Sequence, residues 1–301
     1  MAIYKVSAKL VITLCVLSVA VVGQRRAVSS SVVINTEPNA IVWIDEIRRG
    51  TTDASGRIEL KVLPGRHAVK VRANGFREAA APLLPGRRTL AVKLVRTTDQ
   101  AELLFQQAEE ARDKARDDAA KEEAAELYRK TLELRPAFPA ARVGLARILL
   151  DLNQYQSALA EIDAARRTRR IYPEASAVEG RIHREAAFTN EAIASFRRAI
   201  REAKGFQPEA HVGLARVLEE QGNYPEAEAE YRKAIAQLSD SEPVIYQMLG
   251  AAYEKQRKNK EAVAAYEKYL ALAPNGSLAP AVRSIIDQLR REAEGGPEII
   301  P

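Results

Sequence analysis

The 301-residue sequence predicts a multidomain chain in which a small antiparallel β-sandwich precedes an all-α solenoid of repeated helix pairs. Two observations predict this order. Residues 31–96 alternate apolar and polar side chains in short runs that end at Pro-Gly or Asn-Gly pairs, as antiparallel strands and their turns do. Residues 99–276 repeat a pattern of small and large apolar side chains with a period of 34 or 35 residues, which is typical of helical repeats.

The first 23 residues have the order of a secretory signal peptide. Lys5 and Lys9 precede an uncharged run, residues 10–23, with the sequence LVITLCVLSVAVVG. In a helix that run covers about 21 Å, which is shorter than the ~30 Å hydrocarbon core of a bilayer. We therefore expect export to the periplasm or cell envelope, with cleavage after Gly23 or Ala20.

An uncleaved anchor is the alternative for the same segment. Arg25 and Arg26 directly follow the first cleavage position. Positive charge at that point disfavours translocation, so the N-terminal segment is also compatible with a lasting attachment to the inner membrane.

Apolar and polar side chains begin to alternate directly after the N-terminal segment, where the β domain starts. Each strand is predicted from apolar residues two positions apart, and we expect Trp43 in the sandwich core because it alternates with Ile41. The residues that define the five predicted strands are Val32, Ile34 and Thr36; Ile41, Trp43 and Asp45; Ile58, Leu60 and Val62; His67, Val69 and Val71; and Leu90, Val92 and Leu94.

Residues 31–96 resemble a PEGA domain. The resemblance rests on the run VVINTEPNAIVWID, Gly50-Thr51, LPGRHAVKVRANGF and the closing PGRRTLAVKLV, which occur in the family's order. Asn39 and Glu46 stand where the family usually has glycine, and asparagine tolerates a left-handed backbone. PEGA domains are small β modules of bacterial and archaeal surface or envelope proteins, so the resemblance implies a location more than an activity.

The helical region is aligned on one small residue per repeat. An alanine recurs at spacings of 34, 34, 35 and 35, and a large apolar residue follows it by four positions, so that both lie on one helix face. The alanines are Ala124, Ala158, Ala192, Ala227 and Ala262, and the large residues are Tyr128, Ile162, Phe196, Tyr231 and Tyr266. A second helix lies upstream in four of these repeats.

This pattern resembles the tetratricopeptide repeat, a helix-turn-helix unit of 34 residues. The resemblance covers residues 99–276 and implies about five repeats in a right-handed solenoid whose first helices line a concave groove that takes a peptide. Residues 277–294 are expected to form a polar-faced capping helix, which such arrays need for solubility. A protein-interaction scaffold is the function that this resemblance implies.

The sequence favours no enzyme, metal site or cofactor. It contains one cysteine, Cys15, and three histidines, at positions 67, 183 and 211. His183 and His211 occupy first-helix positions that are more often packing positions than ligand positions. No phosphate-binding loop, nucleophile elbow or metal-ligand motif occurs, so we expect a protein that is not an enzyme and has no cofactor.

Arginines recur at one position of the predicted first helices. Counting back eleven residues from three of the reference alanines gives Arg147, Arg181 and Arg216, and Arg184 lies one turn beyond Arg181. Guanidinium groups bind carboxylates bidentately, so these four residues form a hypothetical groove for an acidic peptide or a free C-terminus. The alternative is that each arginine pairs with a carboxylate of a neighbouring helix, such as Glu174, Glu179 or Glu219.

The charge distribution suggests a second function for the β domain. The net charge is +6, but residues 24–98 carry 14 basic and 6 acidic side chains, whereas residues 99–301 carry 30 and 34. The basic domain suits contact with an anionic envelope surface. The alternative function is therefore cell-wall or glycan attachment by the β domain, with the solenoid as a spacer. Nucleic acid is not an expected partner because the basic part lacks interleaved aromatic residues and follows an export signal.

Overall fold

The computed structural model describes residues 30–238 and 240–293, and it places a β domain before an array of helices. The predicted signal segment, residues 1–23, lies outside the described residues. In the described part of the chain, no helix has the length and apolar character needed to cross a membrane.

The β domain consists of short strands that follow one another closely in the chain. Most are joined by turns of a few residues, several of which contain Pro-Gly or Asn-Gly. The strands of the described region are β1 (Ser30–Asn35), β2 (Ile41–Ile44), β3 (Ile47–Thr51), β4 (Arg57–Val62), β5 (His67–Arg72), β6 (Phe76–Arg77), β7 (Ala79–Leu83), β8 (Thr89–Ala91) and β9 (Val95–Arg96).

These strands form two sheets that share one core and a small two-stranded ribbon. The sheet orders are β4-β1-β8 and β3-β2-β5-β7, and β6 pairs with β9. Buried side chains of both larger sheets form a single apolar cluster that includes Ile34, Val42, Val69 and Leu90. The pair β1–β8 is parallel, so the prediction of purely antiparallel strands is wrong at this pair. The chain visits the other sheet twice after β1: it returns first as β4, antiparallel to β1, and then as β8, parallel to β1.

Strand β2 has the opposite orientation to the one expected from alternation. Val42 and Ile44 are buried in the core, whereas Ile41 and Trp43 are only partly buried and lie on the outer face of the sheet. The prediction that Trp43 lies in the sandwich core is therefore wrong. All four residues of this strand are apolar, so their pattern does not identify the core face.

The rest of the described chain is helical. Consecutive helices pair in the order first helix, second helix, and each pair packs on the next. The helices are α1 (Gln100–Lys114), α2 (Asp118–Leu134), α3 (Pro139–Asp151), α4 (Tyr155–Thr168), α5 (Pro173–Glu185), α6 (Thr189–Glu202), α7 (Pro208–Glu220), α8 (Tyr224–Leu238), α9 (Val244–Lys255), α10 (Asn259–Leu272) and α11 (Ala279–Ala293).

Proline sets the start of three first helices. Pro139, Pro173 and Pro208 are the first residues of α3, α5 and α7. Proline suits this position because its fixed φ is helical and the amide hydrogen that it lacks has no partner in the first turn of a helix. The prolines thus mark where these three repeats begin.

The second helices contribute a repeating set of side chains to the core of the array. All five reference alanines are fully buried, and the large residues four positions later are at most 1% exposed. Small and large side chains on one helix face allow neighbouring helices to approach closely while the large side chain fills the remaining space. Helix α11 packs on the last pair through Val282, Ile286 and Leu289, which are also buried.

Candidate binding cavity

The first helices share a face on which the structure brings the predicted arginines together. Helix α3 contacts α5, and α5 contacts α7, so equivalent positions of successive repeats are neighbours. We call the face formed by α1, α3, α5, α7 and α9 the first-helix face. Arg147, Arg181, Arg184 and Arg216 all line one cavity of about 990 Å³ on this face.

Arg147 is held by carboxylates of the next two first helices. Its Nη2 lies 3.2 Å from Glu174 of α5, and its Nη1 lies 3.2 Å from Glu209 of α7. Burial opposes the charge, but the carboxylates of Glu209 and Glu174 outweigh it and raise the pKa of Arg147 above its ordinary value. Arg147 therefore links neighbouring helices through ion pairs, which is the alternative to ligand binding that the sequence analysis gives.

Arg181 shares the carboxylate of Glu209 with Arg147. Its guanidinium nitrogens lie 3.6 Å from Glu209 and 3.9 Å from Asp151, and its side chain is 35% exposed. Burial of Glu209 would raise the pKa of its carboxyl group, but the two guanidinium groups overcome this effect and lower that pKa. Arg181 is thus less tightly held than Arg147.

Arg184 and Arg216 differ in their partners. The Arg184 side chain is 9% exposed and forms an ion pair with Glu185, the next residue of the chain. Arg216 is exposed, and the structure shows no ion pair for it within residues 30–238 and 240–293. Of the four arginines, Arg216 has the guanidinium group most available to a ligand.

The second wall of the cavity is the outer face of the four-stranded sheet. Ile41 and Trp43 of β2 and Ile47, Arg48 and Thr51 of β3 line it opposite the first helices. We call this space, between the outer sheet face and the first-helix face, the interdomain cavity. The β domain thus lies over the surface that the sequence predicts to be an open groove, an arrangement that the sequence analysis did not predict.

A buried arginine fixes the β domain to α1. Arg72 of β5 is 8% exposed, and it donates hydrogen bonds to Glu78 (2.7 Å) and to Glu109 of α1 (3.2 Å). Its guanidinium carbon lies 5.1 Å from the ring centre of Trp43 and 4.6 Å from that of Phe105, which adds cation–π attraction.

Three further contacts support the same junction. The buried side chain of Gln106 accepts a hydrogen bond from the Gly75 amide (2.9 Å) and donates one to the Phe76 carbonyl (2.8 Å). Arg48 forms a 2.6 Å ion pair with Asp113. Backbone groups and a buried amide are specific partners, so these contacts set one orientation of the β domain on α1.

Several apolar side chains line the end of the cavity away from α1, beside the carboxylate of Glu242. Partly buried Ile47, the first residue of β3, packs against the apolar core of the later repeats. The first-helix face contributes Val212, Val244, Ile245 and Met248 to the same lining, and Leu238 at the end of α8 completes it. The interdomain cavity therefore combines these apolar side chains with charged groups of both signs, and Arg216 is one of its cations.

The histidines lie outside the cavity lining. His183 contacts Ser195 at 3.3 Å and the edge of Phe188, and His211 is buried with its Nδ1 2.5 Å from Glu230. His67 bridges Asp45 and the Leu63 carbonyl in the β domain. Each has hydrogen-bond partners that hold the ring in place within the fold.

Comparison with known proteins identifies the helical part. Three sequence models, each described as tetratricopeptide repeat, match residues 115–182, 178–243 and 243–275. Together they cover more than half of the chain. No curated protein matches the sequence.

Solved structures show the same fold. TTC0263, a thermophilic TPR protein in Thermus thermophilus, is 21% identical with a TM-score of 0.54, and the match covers 62% of this chain and 98% of that chain. PilW, a widely conserved type IV pilus biogenesis factor, is 15% identical with a TM-score of 0.54, and the match covers 66% and 94%. Pseudomonas aeruginosa pilF is 15% identical with a TM-score of 0.51, covering 65% and 93%.

At these identities the likeness concerns the fold alone, while the matches to the repeat models concern the sequence itself. The three matched segments indicate the same repeat as the structure, which shows helix pairs with buried small and large residues on each second helix. The chain belongs to the tetratricopeptide-repeat family.

Proposed function

We propose that the chain is an exported, non-enzymatic interaction scaffold of the cell envelope whose first-helix face binds a peptide segment of a partner protein. The observation that supports this proposal most directly is the position of Arg216. It is an exposed guanidinium group, without an ion pair among the described residues, in a cavity on the face that joins successive repeats.

Recognition by this face needs little rearrangement. The repeats hold each other through buried cores, so the positions of Arg181 and Arg216 are set before a ligand arrives. A preformed site loses less conformational entropy on binding than a flexible one. A carboxylate of the peptide would accept hydrogen bonds from Arg216 and from the partly exposed Arg181, which makes an acidic segment the preferred ligand.

The test is a direct binding measurement on the full chain. Fluorescein-labelled hexapeptides containing aspartate or glutamate would be compared with their asparagine or glutamine counterparts by fluorescence anisotropy. We expect the acidic peptides to bind and the Arg216→Ala variant to bind them at least about tenfold more weakly, since a hydrogen bond to a charged group contributes about 1.5–3 kcal/mol.

A matched control separates the cavity from general charge. Arg197 is an exposed arginine of the second helix α6, away from the cavity lining. Arg197→Ala changes the net charge by the same amount and should leave the affinity unchanged. Equal losses in both variants, or no binding of any acidic peptide, would contradict the proposed function.

Export is part of the proposal and has its own test. N-terminal sequencing of the chain recovered from cell fractions distinguishes the two forms. A first residue at 21 or 24 in the soluble periplasmic fraction means cleavage, and an intact N-terminus in the inner-membrane fraction means a retained anchor. Recovery from the cytoplasm would contradict export.

A second candidate function is attachment to the envelope through the β domain, and one feature favours it. Two turns, residues 63–66 and 84–88, lie at the end of the domain where Ser30 begins β1. The turns expose Arg66, Arg87 and Arg88, and these arginines form no ion pair in the described part of the chain. Leu84, in the second turn, is 46% exposed. Cations beside an exposed apolar side chain suit an anionic surface.

Sedimentation with isolated cell-wall sacculi or with phosphatidylglycerol vesicles tests this second candidate. The full chain and a variant with Arg66→Ala, Arg87→Ala and Arg88→Ala would be compared at two salt concentrations. Retention that is lost in the variant and in high salt supports attachment. Equal retention of both proteins would contradict a role for these turns.

A further inference from the structure

The interdomain cavity has two walls from different domains. Contacts at both ends hold the wall from the β domain, which we call the β wall, in place against the helices. Arg72, Gln106 and Arg48 connect the sheet to α1 at one end. Ile47 packs on the C-terminal repeats at the other end. The outer sheet face therefore spans the first-helix face from its first helix to its later ones, and a ligand of this face meets the sheet as well.

The volume of the cavity limits what it can enclose. About 990 Å³ lies at the upper end of the range for pockets that enclose drug-sized ligands. A few residues of extended polypeptide match such a space better than a long helix does. The part of a ligand that contacts both walls must therefore be a short segment.

The lining sets the chemistry of that segment. Arg216 offers a guanidinium group that forms no ion pair among the described residues, and Glu185 of the same lining acts on it electrostatically from a greater distance. Ile47, Val212 and Met248 supply apolar surface from both walls in the same cavity. A segment that presents a carboxylate beside an apolar side chain complements both features, because the carboxylate would pair with Arg216 while the apolar group leaves water.

We infer that the binding site is composite: the β2–β3 face is its second wall, and its ligand is a short extended segment of a partner protein that carries a carboxylate beside an apolar side chain. This inference rests on the proposed peptide-binding function and adds the β domain to it. Ile47 and Thr51 of β3 then determine specificity together with Arg216 of α7.

The experiment alters the β wall without touching the arginines. The probes are labelled hexapeptides with a C-terminal amide in which leucine precedes aspartate, and peptides in which alanine replaces the leucine. Thr51 is exposed on the cavity side of β3, so Thr51→Trp fills part of the space. Thr89 is an exposed threonine of β8 outside the cavity lining, and Thr89→Trp is the matched control.

We expect Thr51→Trp to weaken binding of the leucine-aspartate peptide at least about tenfold, and Thr89→Trp to leave it unchanged. Ile47→Ser should remove the preference for leucine over alanine. Its control is Val95→Ser, which changes an apolar strand residue that is 64% exposed. Thermal denaturation of each variant establishes that the fold is kept, and Thr51→Trp tests the inference even where Ile47→Ser destabilises the chain.

The outcomes separate this inference from the proposed function. If Arg216→Ala weakens binding but Thr51→Trp and Ile47→Ser do not, the helices bind alone and the composite site is overturned while the proposed function stands. Tighter binding by Thr51→Trp would also overturn it, because the sheet would then obstruct the face. If no peptide binds the unaltered chain, both fail.

Discussion

The phenol of Tyr231 donates a 2.8 Å hydrogen bond to the carboxylate of Glu219, twelve residues earlier on the paired first helix. Tyr266 makes the same bond to Glu254, also twelve residues earlier. Phe196 occupies the equivalent position in its repeat and has no hydroxyl group, and the residue twelve positions before it is Arg184. The acceptor is thus absent in the repeat whose aromatic residue cannot donate, and its position is taken by an arginine of the cavity.

Removing this hydroxyl group should weaken the fold slightly. Burial and the Glu219 carboxylate raise the pKa of Tyr231, so its phenol stays protonated and donates at neutral pH. Tyr231→Phe should lower the free energy of unfolding by about 1 kcal/mol. Urea denaturation at pH 7 measures this, with Tyr224→Phe of the same helix as the control that should change little. A loss of stability as large in the control would contradict the assignment.

Two helical glycines contact the ring of Phe196 and should not tolerate a methyl group. A Cβ atom on Gly180 would lie 2.7 Å from the ring, and one on Gly213 would lie 2.3 Å from it. Because Phe196 is fully buried, Gly213→Ala should destabilise the fold by about 1–3 kcal/mol through overpacking. Calorimetry measures the loss.

A second substitution tests the cause. Phe196→Leu creates space beside residue 213, so the double variant should lose less stability than the two single variants together. Strict additivity would show that the cost of Gly213→Ala comes from somewhere other than this ring.

The junction between the domains should depend on Arg72. Arg72→Met leaves the carboxylates of Glu78 and Glu109 without their shared guanidinium group, and we expect a loss of about 3 kcal/mol. The control is Arg57→Met, which removes an exposed pair with Glu59 at 3.4 Å and should cost less than about 1 kcal/mol. Calorimetry should also show the β domain of Arg72→Met unfolding before the helices, and a single unchanged transition would contradict the role of Arg72.

Glu209 should make the array sensitive to acid. Its folded-state pKa is lowered from 4.5, so its contribution to stability is complete above pH 4.5 and is lost as the pH falls through the lowered pKa. Glu209→Gln should therefore destabilise the chain at pH 7 and flatten the decline in stability below pH 4.5. Denaturant titrations at a series of pH values measure this.

Glu220→Gln is the control for acid sensitivity. It changes a carboxylate at the end of the same helix, α7, that is not among the partners of these arginines, and it should keep the pH dependence of the unaltered chain. If both variants show the same profile, Glu209 is not the group responsible.

The helical part was largely predictable because its information is local. A fixed spacing of alanines and large residues implies the second helices, and counting back from them places Arg147, Arg181 and Arg216 on the first helices. The same count could not predict that Glu209 binds two of those arginines. Its contact with Arg147 joins residues 62 positions apart, and it depends on how far each repeat turns relative to the next.

The β domain was harder to predict in detail. Strand β2 reads IVWI, and alternation has no polar position there to mark the solvent side. One face of this strand packs in the sandwich core, and the other, with Ile41 and Trp43, is partly buried and faces the helical array across the cavity. The prediction for Trp43 is wrong for that reason, and a strand with two apolar faces was the available sign that a second domain packs on it.

The order of the domains along the chain adds a consequence to the position of the β domain. The β domain and α1 come first, so the Arg72 junction needs no residue beyond α1. Ile47 packs against an apolar cluster that the later helices form, from α5 to α11. A chain that stops before α9 has the arginines and the cavity-facing strands of the β domain but lacks Val244, Ile245 and Met248, so the cavity lining is complete only once α9 is present.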